Sequence, residues 1–290
     1  MYPFTLTRSF KDIRLGILTI GEKNLPEILH PTQPWDLFLF NDAAIRFDFK
    51  LITSGRHSQH IASSNGIITP ENVFIEEGAV VEHCIINASA GPVYIGRGAQ
   101  VMEGTLIRGP VAICEGSVVK MGARIYNGTT IGPNCIAGGE IKNSLMFGNS
   151  NKAHDGYLGD SVIGEWCNLG AGTSNSNIKN SAGDVKMWDA EQQTYVVVGK
   201  KCGLIMGDYS RCAINTSFNT GTVVGISCNI FGSGFPPKYV PDFSWGDEEY
   251  ELEKALRDID NWKQLKGSNI TEKEKQDLGN IYLNKKIRYA

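Results

Sequence analysis

From Ile95 the chain sets a branched aliphatic residue at every sixth position: Ile95, Val101, Ile107, Ile113, Val119, Ile125 and Ile131. A second column, Ala99, Thr105, Val111, Ser117, Ala123, Thr129 and Cys135, holds small or β-branched residues. Turn-like triplets such as Gly96-Arg97-Gly98, Met102-Glu103-Gly104 and Tyr126-Asn127-Gly128 fall between them. The pattern is blurred but present upstream at Ile75 and Val81. Downstream it returns at Leu158, Ile163 and Leu169, and from Met206 through Cys212, Phe218, Val224 and Ile230. A period of six fits neither strand alternation nor the 3.6 residues of an α-helical turn. It suits a short strand and a turn, repeated, with three units closing a triangular coil of about 18 residues. Successive coils then stack as parallel strands about 4.8 Å apart, each aliphatic residue pointing into a narrow prism. The expected fold is therefore all-β, a parallel β-helix.

The flanks read differently. Residues 1–65 mix apolar runs (IRLGILTI, WDLFLFN) with a polar segment and predict a small cap or platform; 66–235 hold the repeat; 236–290 begin with a proline-containing loop and end in charged, helical sequence. Two helices are expected there, separated by KGSN, the second opened by Thr271 with Glu274 as a capping box. The repeat fails over 144–160 and 174–203, which are too polar for prism wall. Both are expected to be loops leaving the coil, the second with a hairpin around MWDAEQQTYVVV. Function is expected where a pattern breaks.

Composition narrows the class. The net charge of −3 gives no electrostatic reason for nucleic acid as a partner. No apolar run reaches the roughly 18 residues of a membrane span, and MYPFTLTRSFKDIR lacks a signal-peptide core. A cytoplasmic protein, with neither membrane nor nucleic acid as partner, is the expectation. The 7 cysteines are odd in number, form no CxxC pair and read as small apolar filler.

His154 lies in the first break. A lone histidine is commonly a satisfied surface or core residue, but an imidazole ordinarily titrates near pH 6.5, which suits a general base. Arg124 and Lys142 stand 18 residues apart. A coil of that length would stack them on one edge about 5 Å apart. Spacing alone leaves two readings, splayed surface charges or a phosphate clamp.

The stretch from His154 to Asn177, HDGYLGDSVIGEWCNLGAGTSNSN, resembles the acetyltransferase half of the bifunctional bacterial enzyme that makes UDP-N-acetylglucosamine. The motif is His154, then Tyr157-Leu158-Gly159-Asp160, then Asn168 before Leu169-Gly170-Ala171-Gly172-Thr173, then Asn177. Arg124 and Lys142 match the family's phosphate-binding cations without a gap. The resemblance implies a left-handed β-helix, a homotrimer with sites between subunits, and acetyl-CoA as co-substrate for a sugar-phosphate acceptor, with no metal needed for acetyl transfer. It implies that His154 is the general base and that Arg124 and Lys142 hold the sugar phosphate. Tyr157 and Asn168 would contact the sugar. The Ala171 backbone N–H would face the acetyl carbonyl, and Asn177 would hold the acetyl group or pantetheine. Beyond Asn177 the chain departs from the family: a longer loop replaces one carrying a lysine on the coenzyme side, and Gly183 stands at the gapless position. TLTRSFKDIRLGILTI and the SWG-type end also resemble longer sugar-phosphate nucleotidyltransferases, with most of their N-terminal domain missing.

Other readings stand beside this one. A zinc site on such a coil needs three histidines, and the repeat offers His83 and His154. The chain could be a non-catalytic trimeric platform or a sugar-nucleotide-binding protein. A nucleotidyltransferase would require Mg²⁺ and acidic ligands that the sequence does not place.

Overall fold

The computed structural model describes residues 1–288, with side chains through Lys285. The last two residues of the C-terminal region assigned to 236–290 lie outside it. Each hexad forms one side of a three-sided, left-handed parallel β-helix of about 10 turns. The first face stacks six strands, from Gly66–Ile68 to Tyr157–Gly159. The second stacks nine, from Val73–Ile75 to Tyr239–Val240. The third stacks ten, closing at Ser244–Trp245 and the antiparallel Glu248–Glu249.

The aliphatic column points inward as the period predicts. Ile95, Ile113 and Ile131 stack on the second face, Val101 and Val119 on the third, and Ile107 and Ile125 on the first. The small-residue column, from Ala99 to Cys135, is wholly buried, because a larger side chain there would meet the next coil. All 7 cysteines are buried free thiols.

The outward sides of the three faces differ, and this decides where everything else sits. On the second face most outward residues are themselves apolar, among them Ala112, Leu145, Val162, Ile205 and Val223, and the polar Thr130 is hydrogen-bonded to Asn41 and Gly16. Residues 1–53 lie against them, with helix α1 (Asp36–Thr53) packing on the middle strands. The N-terminal region is thus a platform along a flank. Helices α2 (Leu252–Gln264) and α3 (Glu272–Arg288) pack around Tyr250, Ile226 and Phe243 near the far end. The Thr271–Glu274 capping box is present, the two main-chain N–H groups bonding at 2.8 and 3.2 Å.

The two breaks behave differently. Of residues 174–203, Ser174–Asn175 stay in the coil as a strand beside Ser217–Phe218, and the chain leaves it after Asn177: Val185–Asp189 and Thr194–Gly199 form an antiparallel hairpin that folds onto the second face. Residues 144–160 correct the expectation. They stay in the coil as strands Leu145–Met146, Asn151–Lys152 and Tyr157–Gly159. Their polarity is that of outward positions and tight glycine corners; Leu145 and Phe147 face the platform, while Met146 between them turns into the prism.

The chain rejoins the prism through Gly203, whose N–H donates to Asp160 O at 2.8 Å. A Cβ there would stand 2.1 Å from Gly159 O and 2.3 Å from the Asn175 amide nitrogen. Gly203→Ala is expected to cost about 2–3 kcal/mol, because backbone cannot yield as a flexible side chain can. Its urea midpoint will report this; Gly183→Ala, which meets only the Ser181 hydroxyl at 3.3 Å, will match wild type.

Candidate functional site

The exposed first face carries two outward columns. One runs Leu106, Arg124, Glu140, Tyr157; the other runs Arg108, Tyr126, Lys142, Gly159. Arg124 therefore stacks on Glu140, and Lys142 on Tyr126. The direct stacking of Arg124 on Lys142 expected from an 18-residue coil does not occur, because the turn after Arg124 is shorter than the regular ones. The two are diagonal neighbours, with Cα atoms about 8 Å apart. Arg124 Nε lies 3.8 Å from Glu140 Oε2, and Tyr126 donates to Glu140 Oε1 at 2.6 Å. Burial, with that acceptor beside it, pushes the Tyr126 phenol up to about 12.

Tyr157 lies folded across Gly159: a Cβ on that glycine would be 2.2 Å from the phenol oxygen. Asn177 donates to the same oxygen at 3.1 Å and to Asp160. Asn143 donates to the other Asp160 oxygen at 2.6 Å. Burial, then the Asp160 charge, raises the Tyr157 pKa, so its hydroxyl stays protonated. Lys142 opens into a pocket of about 370 Å³ at the outer edge of this face, shared with Lys201, Asn143 and Asp160 and walled by Phe38 and Asp42 of α1.

His154 is at the opposite edge of the face, on the exposed corner between the third and first faces. Ala171 occupies the same corner one coil on, since Gly172 N–H donates to Asp155 O at 3.1 Å. The Ala171 N–H makes no hydrogen bond among the described residues. Asn168 sits around the corner on the third face, where its Oδ1 accepts from Asn151 at 3.3 Å. Its other neighbour is Arg211, buried under α2 with the guanidinium over Trp262.

One chain therefore gathers His154, Ala171, Tyr157 and Asn168 about a single edge. Arg124 lies lower on the first face, and Lys142 and Asn177 gather at its far side. A prism edge is convex, so no single chain can enclose a ligand there. The edge is flanked by exposed apolar side chains: Met121 (70% exposed) below His154 and Ile214 (69%) above Ala171. Sequence reasoning did not find Lys201. It lies far beyond the motif in the chain, and only the hairpin, which leaves at Asn177 and returns with Cys202 N–H on Asn177 O at 3.0 Å, brings it to Lys142.

Among the described residues no group of three His, Cys, Asp or Glu converges as a metal site, and no helix is long and apolar enough to cross a membrane. No protein-family model matches the chain. The bifunctional protein GlmU of Methanocaldococcus jannaschii is 37% identical over 94 residues, 32% of this chain and 22% of that protein. The protein of that name from Rippkaea orientalis is 26% identical over 190 residues, 53% of this chain and 40% of that one. A bifunctional sugar-1-phosphate nucleotidylyltransferase/acetyltransferase of Sulfurisphaera tokodaii is 32% identical over 92 residues, covering 32% and 23%. The matched part of the chain thus spans well under half of these relatives. Among solved structures, a hexapeptide transferase family protein from Anaplasma phagocytophilum aligns over 69% of this chain and 90% of its own, at 16% identity and a TM-score of 0.30. The chain resembles the acetyltransferase region of GlmU, as its motif from His154 to Asn177 implies.

Proposed function

We propose that this hexapeptide-repeat chain is an acyltransferase that moves the acetyl group of acetyl-CoA to the amine of an amino-sugar phosphate resembling glucosamine-1-phosphate. The observation that carries the reading is the edge on which His154 stands one rung from the unpartnered N–H of Ala171. His154 takes a proton from the sugar ammonium, and the freed amine attacks the thioester carbonyl carbon. Negative charge grows on the carbonyl oxygen, where a fixed N–H such as that of Ala171 stabilises it. As the intermediate collapses the C–S bond breaks and the nitrogen gives up its second proton; of the two protons lost from the nitrogen, one goes to the departing thiolate and the other to solvent. Lys142, with Lys201 beside it, holds the phosphate, and Arg124 adds charge from the neighbouring column. Tyr157 and Asn168 contact the sugar, and Asn177 the acetyl or pantetheine arm. The convex edge and the bare Met121 and Ile214 favour further copies of the chain as the missing wall, in a homotrimer.

The test is thiol release from acetyl-CoA with glucosamine-1-phosphate as acceptor. Turnover supports the reading; tight sugar-phosphate binding without thiol release would instead mark a binding platform. Lys142→Ala is expected to raise the KM for the sugar phosphate by about 10–100-fold, the worth of a charge-assisted hydrogen bond. The KM for acetyl-CoA should stay within about twofold, since Lys142 is assigned no contact with the donor.

A further inference from the structure

Among the described residues the prism interior holds apolar side chains, small hydroxyls and the amide of Asn175, and one inward position carries a charge. On the third face the inward positions run Val101, Val119, Ala137, Lys152, Leu169 and Cys212. Lys152 is 1% exposed, and no carboxylate pairs with it among the described residues. Its ammonium donates instead to two main-chain carbonyls, Gly138 O at 3.3 Å and His154 O. Those oxygens belong to the corners of successive coils. An aliphatic residue, as on neighbouring rungs, would fill this place without burying a charge. Burial pushes the amine down to about 8, with Asp155 opposing. A group kept at such a cost to folding points to a purpose outside the core.

We propose that Lys152 is a positioning residue: from inside the prism it fixes the main chain at His154 and so the direction in which the imidazole points outside. This rests on the reading of His154 as the base. The corner has little else to hold it. Asp155 O accepts from Gly172 N–H, and Gly156 O accepts from Glu140 N–H at 3.1 Å. The His154 carbonyl is left to Lys152. Removing the ammonium frees the turn Ala153–Gly156 while the strands on either side keep their register.

Lys152→Met keeps a similar volume and removes the donors; Lys152→Gln restores a donor without the charge. Both are made in the full chain. Two measurements are read: amide hydrogen exchange at Glu140 and Gly172, whose N–H groups donate to the corner carbonyls of Gly156 and Asp155, and modification of His154 by diethyl pyrocarbonate, with exposed His83 as reference. In the Met variant, exchange at Glu140 and Gly172 is expected to rise about tenfold while the 118–122 peptide is unchanged. Modification of His154 should shift at least about threefold relative to His83, and the Gln variant should recover part of both. In the thiol-release assay kcat should fall about tenfold with KM within about twofold, as a misdirected base implies. A folded Met variant with wild-type exchange and modification would overturn the proposal and leave Lys152 as filler. Should the Met variant not fold, the Gln variant decides by the same two readings. A wild type that releases no thiol counts against acyl transfer alone, and the exchange and modification rates still decide on Lys152.

Discussion

His154→Gln is expected to lower kcat for thiol release by about 10²–10⁴-fold, the range of a positioned general base. Glutamine keeps polarity and approximate size but cannot take the proton from the sugar ammonium. The imidazole is exposed and makes no side-chain hydrogen bond among the described residues, so stability should change by less than about 0.5 kcal/mol. The KM for both substrates should stay within about threefold, because an interaction made only in the transition state appears in kcat. Raising the pH should recover part of the rate, as more of the acceptor amine is then free. Equal rates for wild type and variant would remove His154 from the chemistry while leaving the fold untouched.

The second large effect lies in the platform. Asp48 of α1 is fully buried and takes Lys23 Nζ on both carboxylate oxygens, at 2.7 and 2.6 Å. Its Oδ2 also accepts the N–H groups of Ile17 at 2.8 Å and Leu18 at 3.0 Å. Asp48→Ala therefore leaves the buried Lys23 ammonium with the Leu15 carbonyl but no counter-charge, and frees the Ile17 and Leu18 N–H donors as well. The expected loss is about 3–5 kcal/mol, as for other buried pairs broken on one side. Lys23→Met should cost less than Asp48→Ala, since it leaves the carboxylate its two backbone donors. Because residues 1–53 pack against the outward apolar residues of the second face, the loss should appear as an early, separate transition in urea, with the coil unfolding later. A single unshifted transition for Asp48→Ala would mean that the pair contributes little. Loosening the platform should also disturb the pocket at Lys142, one wall of which is Phe38 and Asp42.

The coil was legible because it is local. A side chain every sixth residue either enters the prism or does not, and Ile95 through Ile131 satisfy that without reference to the rest of the chain. The hairpin and the Thr271 capping box were legible for the same reason: each is fixed by residues close in sequence. The motif from His154 to Asn177 could likewise be read directly, since its residues occupy successive coils.

What the sequence left undetermined depends on register and on distant contacts. The spacing of Arg124 and Lys142 looked like one full turn, yet the shortened turn between them puts Glu140 on Arg124 and Tyr126 under Lys142. A change of two residues in one coil is invisible in composition but moves a side chain to the next column. Lys201 reaches Lys142 only through a hairpin excursion, and α1 reaches the same pocket from the start of the chain. Lys152 read as one more polar residue in a broken repeat; only the stacked coils turn it inward, beneath the carbonyl of His154. Periodic burial set by covalent spacing was thus determined by the sequence alone. Which outward side chains meet was decided by tertiary structure, because coil length, and not residue number, sets who stands above whom.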